Sequence, residues 1–302
     1  MTTAEHRPNG LPYALGAYLS WGLLPIYFRF VHQVPPFEMV GWRVLFTVPI
    51  GLALVAVLRQ FASVWKALTT PRTLAALALS AMLIAANWLI YVIAIVTDHV
   101  FAASLGYYIN PLMNVLAGTL FLHERLTRSQ WLAVGLAGVG VAILAAGALD
   151  TLWISLALAF TFCSYGLVRK LAPVEALPGL VVETLILVVP ALAAIVWQAG
   201  KHGGISLGQS TQTDVLLACA GIITGVPLLL FATAARRMSY STLGFVQYLA
   251  PTMVFLLGLF VFHEPLRPVQ LASFVIIWAA IAVFCVDLVR RHRAARRVAE
   301  PV

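Results

Sequence analysis

Long apolar runs separated by short polar or Pro- and Gly-bearing breaks dominate the chain, and the pattern predicts ten helices. They fall at about 11–30, 37–58, 73–96, 100–122, 131–148, 151–168, 179–199, 214–235, 241–262 and 269–289. Each run approaches the ~20 residues that an α-helix needs to cross a bilayer. The breaks carry turn and boundary chemistry: Pro35-Pro36, Thr70-Pro71, Asp98-His99, the charged stretch from Glu124 to Gln130, Asp150, the stretch from Arg169 to Pro178, the Gly-rich 200–210 region, Arg236-Arg237, and Glu264 to Pro268. Thr127 with Gln130 makes a capping box for the fifth helix, and Pro268 suits the first position of the tenth, where no N–H is needed.

The pattern repeats. Displaced by 140 residues, Pro111 to Gln130 lies over Pro251 to Gln270 without a gap, with Pro, Met, Leu, Gly, His, Glu, Leu and Gln coinciding. Ser104-Leu105-Gly106-Tyr107 answers Thr242-Leu243-Gly244-Phe245. Trp42 to Pro49 lies over Glu183 to Pro190, and Ser20-Trp21-Gly22-Leu23 over Ser164-Tyr165-Gly166-Leu167. Two copies of one unit follow, residues 11–148 and 151–289, then a basic tail, 290–302. Five helices is an odd number, so the copies cross the membrane in opposite directions. Such inverted repeats build secondary transporters whose substrate site lies between the halves near mid-membrane. The expected fold class is therefore an all-α integral membrane protein.

Composition agrees: 62% of the 302 residues are hydrophobic and 10% charged, against about 25% charged in a soluble domain. The net charge of +8 records topology rather than nucleic-acid binding. With the N-terminus inside, 15 of the 19 Lys and Arg residues fall in inside segments. These include Arg59, Lys66 and Arg72, the Arg169-Lys170 and Arg236-Arg237 pairs, and Arg290 to Arg297. The positive-inside rule thus puts both termini in the cytoplasm. The tail could also touch anionic lipid. Pro8 to Leu11 leads straight into a span-length run, not a signal peptide. Cys163, Cys219 and Cys285 lie in apolar runs and act as small hydrophobes, with no disulfide or metal site implied.

Several stretches resemble one family: Trp21-Gly22 with Pro25 and Tyr27, Glu38 with Arg43, Asn87-Trp88-Leu89, Ala103 to Tyr107 through Asn110-Pro111, Gln130 to Val134, Tyr165 to Lys170, Glu183-Thr184, and Ser241 to Phe245 through Gln247-Tyr248 and Pro251. They cover residues 11–289. The chain resembles the RarD family, the chloramphenicol-sensitive or chloramphenicol-resistance permeases, within the EamA-type drug/metabolite transporter superfamily. The resemblance implies a bacterial inner-membrane permease that moves small organic molecules, drugs or metabolites, outward around a central cavity. In one departure, His123 stands where the pattern more often has Gly before the Glu, which weakens a metal reading of His123-Glu124.

Polar groups inside a bilayer are costly, which makes them functional candidates. Arg43 lies about 9 Å into the second helix and Glu183 about 6 Å into the seventh, from opposite sides. With a core ~30 Å thick, a direct bridge between them is not expected. Either they form two stations on one path, or each is paired locally, Arg43 with Glu38 or a carbonyl. Asn87, Asn110 and Gln247 either line a cavity or join helices. Asn114 shares a helix face with Asn110. Trp21, Trp88, Tyr107 and Tyr248 are aromatic candidates for the cavity wall, against ordinary packing or an interfacial belt.

His123-Glu124 and His263-Glu264 lie at helix ends on opposite sides and suit capping, not one metal site. Gly135, Gly138 and Gly140 with Ala133 and Ala137 allow close helix packing, within the bundle or at a dimer surface. No Walker loop, HExxH or nucleophile–base set occurs, so neither ATP drive nor catalysis is expected, and no cofactor is implied. Coupling would use Glu183, with Glu38 behind it, or be absent altogether. The partners expected are a small-molecule substrate and membrane lipid, with no nucleic acid, in a monomer or homodimer. A non-transporting sensor or a lipid-handling membrane enzyme is the alternative.

Overall fold

The computed structural model describes residues 10–147, 149–263, 265 and 267–299, side chains of 202 and 292–299 aside. Arg7, Glu264 and the side chains of Arg293, Arg296 and Arg297 lie outside the described residues. The described chain is helical throughout. The ten expected segments are α1 Leu11–Gly22 with α2 Leu24–Phe30, α3 Pro36–Val57, α5 Pro71–Val96, α6 Val100–Leu120, α7 Arg128–Ala145, α8 Leu152–Leu171, α9 Ala176–His202, α10 Thr211–Arg237, α11 Tyr240–Gln247 with α12 Leu249–Phe260, and α13 Pro268–Ala299. Nine of these segments are long and apolar enough to cross a bilayer. The first is divided: Pro25 has no N–H to donate to the carbonyl of Trp21, and the helix breaks at Leu23. Pro251 likewise follows the break at Tyr248.

A short helix, α4 Phe61–Thr69, was not expected, because nine residues are too few to span. It is amphipathic: Val64 and Ala67 are buried against α9, whereas Phe61 and Trp65 are exposed beside Lys66. Such a helix suits the membrane interface.

Close crossings are made where one helix has no Cβ. At Gly221 of α10, a Cβ would stand 2.4 Å from the Phe46 carbonyl carbon of α3. At Gly244 of α11 it would meet the Pro111 carbonyl of α6 at 2.7 Å. On α7, Gly140 packs against Ser273 and Ile277 of α13, and Ala133 and Ala137 are buried. An added Cβ at Gly135 or Gly138 would meet nothing within 4 Å, so within this chain Gly140 alone of the three makes a close crossing. The broadest helix pairings are α7 with α13, α3 with α9, α6 with α8, α3 with α10, α5 with α8, α6 with α11 and α1 with α10.

Helix ends meet at the side where α1 begins, called here the near side. The Lys170 Nζ donates to the carbonyls of Ala235 and Met238, both at 2.7 Å, and Arg236 donates to the carbonyl of Ala172 at 2.6 Å. These cations satisfy the free carbonyls that helix C-termini present. The Thr127–Gln130 capping box forms as the sequence predicts, and α13 starts at Pro268. The Glu124 carboxylate accepts the backbone N–H of Tyr240 at 2.6 Å and of Ser241 at 2.9 Å. It therefore caps a helix of the other half of the chain rather than its own.

His123 sits at φ 54° and His263 at φ 53°, so both copies of the repeat turn through the left-handed region. That region favours glycine, which accounts for the residue the family pattern prefers at 123. His123→Gly is therefore expected to be neutral to stabilising by up to about 1 kcal/mol. The released strain there exceeds the added freedom of the unfolded chain. Unfolding of the purified protein in mixed micelles measures it; a loss of more than about 1 kcal/mol would contradict it.

Candidate functional site

A cavity of about 190 Å³ lies between α1–α2, α3, α5, α6, α8 and α11–α12. Its lining residues on α2, α3, α5 and α6 sit toward the side opposite the near side. Trp21, Arg43, Asn87, Trp88, Tyr107, Asn110 and Gln247 all line it. Both helix breaks border it, through Leu24 and Pro25 on one side and Ala250 and Pro251 on the other. Broken helices expose backbone groups that a continuous helix would consume, which is tolerated in a membrane only beside protein or a cavity.

Arg43 is held from two sides. Its Nε donates to the Thr224 hydroxyl at 2.8 Å, and its guanidinium carbon stands 4.9 Å from the centre of the Trp88 ring. Thr47, one turn on, donates to the carbonyls of Arg43 at 2.6 Å and Gly221 at 3.2 Å, tying α3 to α10. The predicted local partner is not used. Glu38 is buried and accepts hydrogen bonds from Trp42 Nε1 at 2.8 Å, Ser206 N at 2.7 Å and Ser206 Oγ at 2.9 Å. It anchors the loop before α10 and does not line the cavity, although it was a second candidate for coupling.

The buried amides divide. Asn87 Nδ2 donates to the Leu158 carbonyl at 2.8 Å and the Thr161 hydroxyl at 2.9 Å. Asn114 Nδ2 donates to Gln247 Oε1 at 2.7 Å, and Tyr18 reaches the same oxygen at 3.5 Å. Asn87 and Gln247 thus both line the cavity and join helices. Asn110 borders the cavity with its side-chain oxygen unpartnered. Tyr107 packs on Tyr91, with ring centres 6.0 Å apart, and is half exposed.

Glu183 and Tyr248, both predicted in the cavity wall, are placed elsewhere. Tyr248 is buried with Phe245 in the packing between α6, α7, α11 and α13. Glu183 lies between α5, α8 and α9, bonded by the Ser80 hydroxyl and 3.6 Å from Arg169 Nε. Arg169 also donates to the Ala176 carbonyl at 2.7 Å and is only 1% exposed. Among the described residues this is the only salt bridge. Arg169 was read as a loop charge. The last turn of α8 instead carries it inward, into space that Gly179 leaves open: a Cβ there would lie 2.0 Å from Arg169 Nη1. In the sequence the available signal is Gly179 one turn before Glu183 within an apolar run.

Between the cavity and the near side lies an aromatic cluster. Tyr165 stacks on Phe231 at 6.0 Å between ring centres, Phe162 lies 5.1 Å from Phe231, and Tyr18 and Trp21 close the group. Tyr240 donates to the Cys163 carbonyl at 2.7 Å just beyond it. Packed rings thus form the cavity's near-side wall, with the Arg169–Glu183 pair off its axis.

A bundle of span-length apolar helices around a lined cavity defines a polytopic membrane protein, and the comparisons give it its class, a membrane transporter. Residues 8–146 match the EamA-like transporter family. An uncharacterized transporter of Pseudomonas aeruginosa is 43% identical, with both chains covered completely. RarD of Salmonella typhi is 42% identical over 96% of this chain and 99% of its own. The chain belongs to the RarD family of EamA-like transporters, in the drug/metabolite transporter superfamily. A crystal structure of a protein with 19% identity superposes with a TM-score of 0.72 over 92% of this chain and 97% of that one, the same fold.

Proposed function

We propose that the protein is a secondary permease that exports small organic molecules, among them amino acids or chloramphenicol-like compounds, by alternating access between two inverted five-helix halves, 11–148 and 151–289. The carrying observation is the cavity between helices of both halves, with packed aromatic rings between it and the near side. The pairing of helices supports the inverted repeat. Exchanging the halves turns the α1–α10 contact into α8–α5 and the α6–α8 contact into α11/α12–α1, while α3–α9 and α7–α13 map onto themselves. The shared left-handed turn at His123 and His263 points the same way.

The near side gathers Arg59, Lys66, Arg72, Arg125, Arg128, Arg169, Lys170, Arg236 and Arg237, which supports a cytoplasmic near side and cytoplasmic termini. Alternation would require the ring cluster at Tyr18, Tyr165 and Phe231 to part.

Counterflow in proteoliposomes tests the reading, because it needs no knowledge of the driving ion. Labelled aromatic amino acids and chloramphenicol are to be screened at equal pH on both faces. A saturable uptake that unlabelled solute inside accelerates is the expected result. A folded protein that gives none for any compound would favour a non-transporting role.

A further inference from the structure

We infer that the cavity selects small organic acids: one carboxylate, received by Arg43, on a flat apolar or aromatic body. The inference rests on the transport reading above and names its substrate class.

The bundle draws two arginines inward and treats them differently. Arg169 has an internal carboxylate, Glu183, and is sealed from solvent. Arg43 lines the cavity, and among the described residues no carboxylate lies within salt-bridge distance of it. Glu38, five residues before it on the same helix, is consumed by Ser206 and Trp42. A guanidinium removed from bulk water without a counter-charge is unfavourable, and a bound anion removes that penalty.

The geometry also indicates which anion. Thr224 occupies Nε and Trp88 lies against the face of the guanidinium, so the planar group is oriented while its two Nη groups have no other protein partner among the described residues. Two parallel N–H groups on one edge match the two oxygens of a carboxylate. Arg43 is also the one Lys or Arg among the residues that line the cavity. A single cation suits a monoanion; a phosphate dianion would leave charge unmatched. Trp21, Trp88, Tyr91 and Tyr107 supply aromatic wall for the body of the ligand. A cationic amphiphile would meet Arg43 as a like charge.

The test compares 3-phenylpropionate, 3-phenylpropanol and 3-phenylpropylamine, which share a body and differ in the head group, by calorimetric titration of the full-length protein in nanodiscs. The carboxylate is expected to bind at least about tenfold more tightly than the alcohol, and the amine more weakly than both. Arg43→Gln should bring the carboxylate to the alcohol's affinity and leave the alcohol unchanged. Thr224→Val keeps the charge but frees the guanidinium, and should weaken the carboxylate alone, so the inference stays testable if Arg43→Gln fails to fold. Equal binding of the three probes, no carboxylate binding by folded protein, or a carboxylate preference that survives Arg43→Gln would overturn it. Counterflow of labelled 3-phenylpropionate separates the two readings. Arg43-dependent binding without flux would uphold the acid site and remove transport. Saturable flux of the alcohol or amine without acid preference would do the reverse.

Discussion

Glu183→Leu is expected to destabilise the protein by about 3–5 kcal/mol, the range for a buried ion pair deprived of one partner. Arg169 would be left 1% exposed with no anionic partner, only the Ala176 carbonyl and the neighbouring Tyr165 hydroxyl. Its Nε lies 3.6 Å from Glu183, beyond hydrogen-bond distance, so that contact is ionic. Arg169→Met should cost a similar amount, because Glu183 would keep only the Ser80 hydroxyl. The double variant Arg169→Met with Glu183→Leu should recover most of the loss, since an apolar pair of similar volume needs no compensation in that site. Unfolding of the four proteins by SDS in mixed micelles yields the coupling energy directly. Additive losses would show that the two side chains act independently and that the pair is not what closes this part of the bundle.

Gly221→Ala should be the second most damaging change, at roughly 2–3 kcal/mol, although it adds a single methyl group. The new Cβ would lie 2.4 Å from both the carbon and the oxygen of the Phe46 carbonyl, and backbone cannot rotate away as a side chain can. The helices α3 and α10 must then separate by about 1 Å to reach ordinary contact distance. That separation acts on the bonds bridging the crossing, Thr47 to the Gly221 carbonyl and Arg43 to Thr224. The variant should therefore lose stability and any solute binding that depends on Arg43 together. Gly138→Ala is the matched control: nothing lies within 4 Å of its added Cβ. It should be neutral or stabilising by about 0.5–1 kcal/mol, the helix preference of Ala over Gly. Equal effects at the two positions would mean that the α3–α10 crossing is looser than its geometry implies.

Much of this architecture is legible along the chain because it is local. Apolar length marks the spans, Thr127 and Gln130 open α7, and Pro268 starts α13. The repeat predicts paired helix ends, and the backbone at His123 and His263 keeps it to the level of a single dihedral angle. What was missed is of another kind. Arg169 reads as a topological charge because it follows an apolar run, yet Gly179 on a neighbouring helix opens the space that buries it. Glu38 reads as a partner for Arg43, but a backbone N–H from the loop before α10 claims it first. The short helix α4 is hidden because its apolar positions serve burial on one face only.

By itself, then, the amino-acid sequence determined the apolar segments and their ends and the recurrence of the 111–130 stretch at 251–270, since span length and capping follow from hydrogen-bond satisfaction and transfer free energy within one stretch of chain. Only the tertiary structure decided which charge meets which partner. A helix offers every side chain some neighbour, and the choice among them depends on how closely the helices cross. The crossings at Gly221 and Gly179 leave Arg43 lining a cavity and Arg169 packed against Glu183.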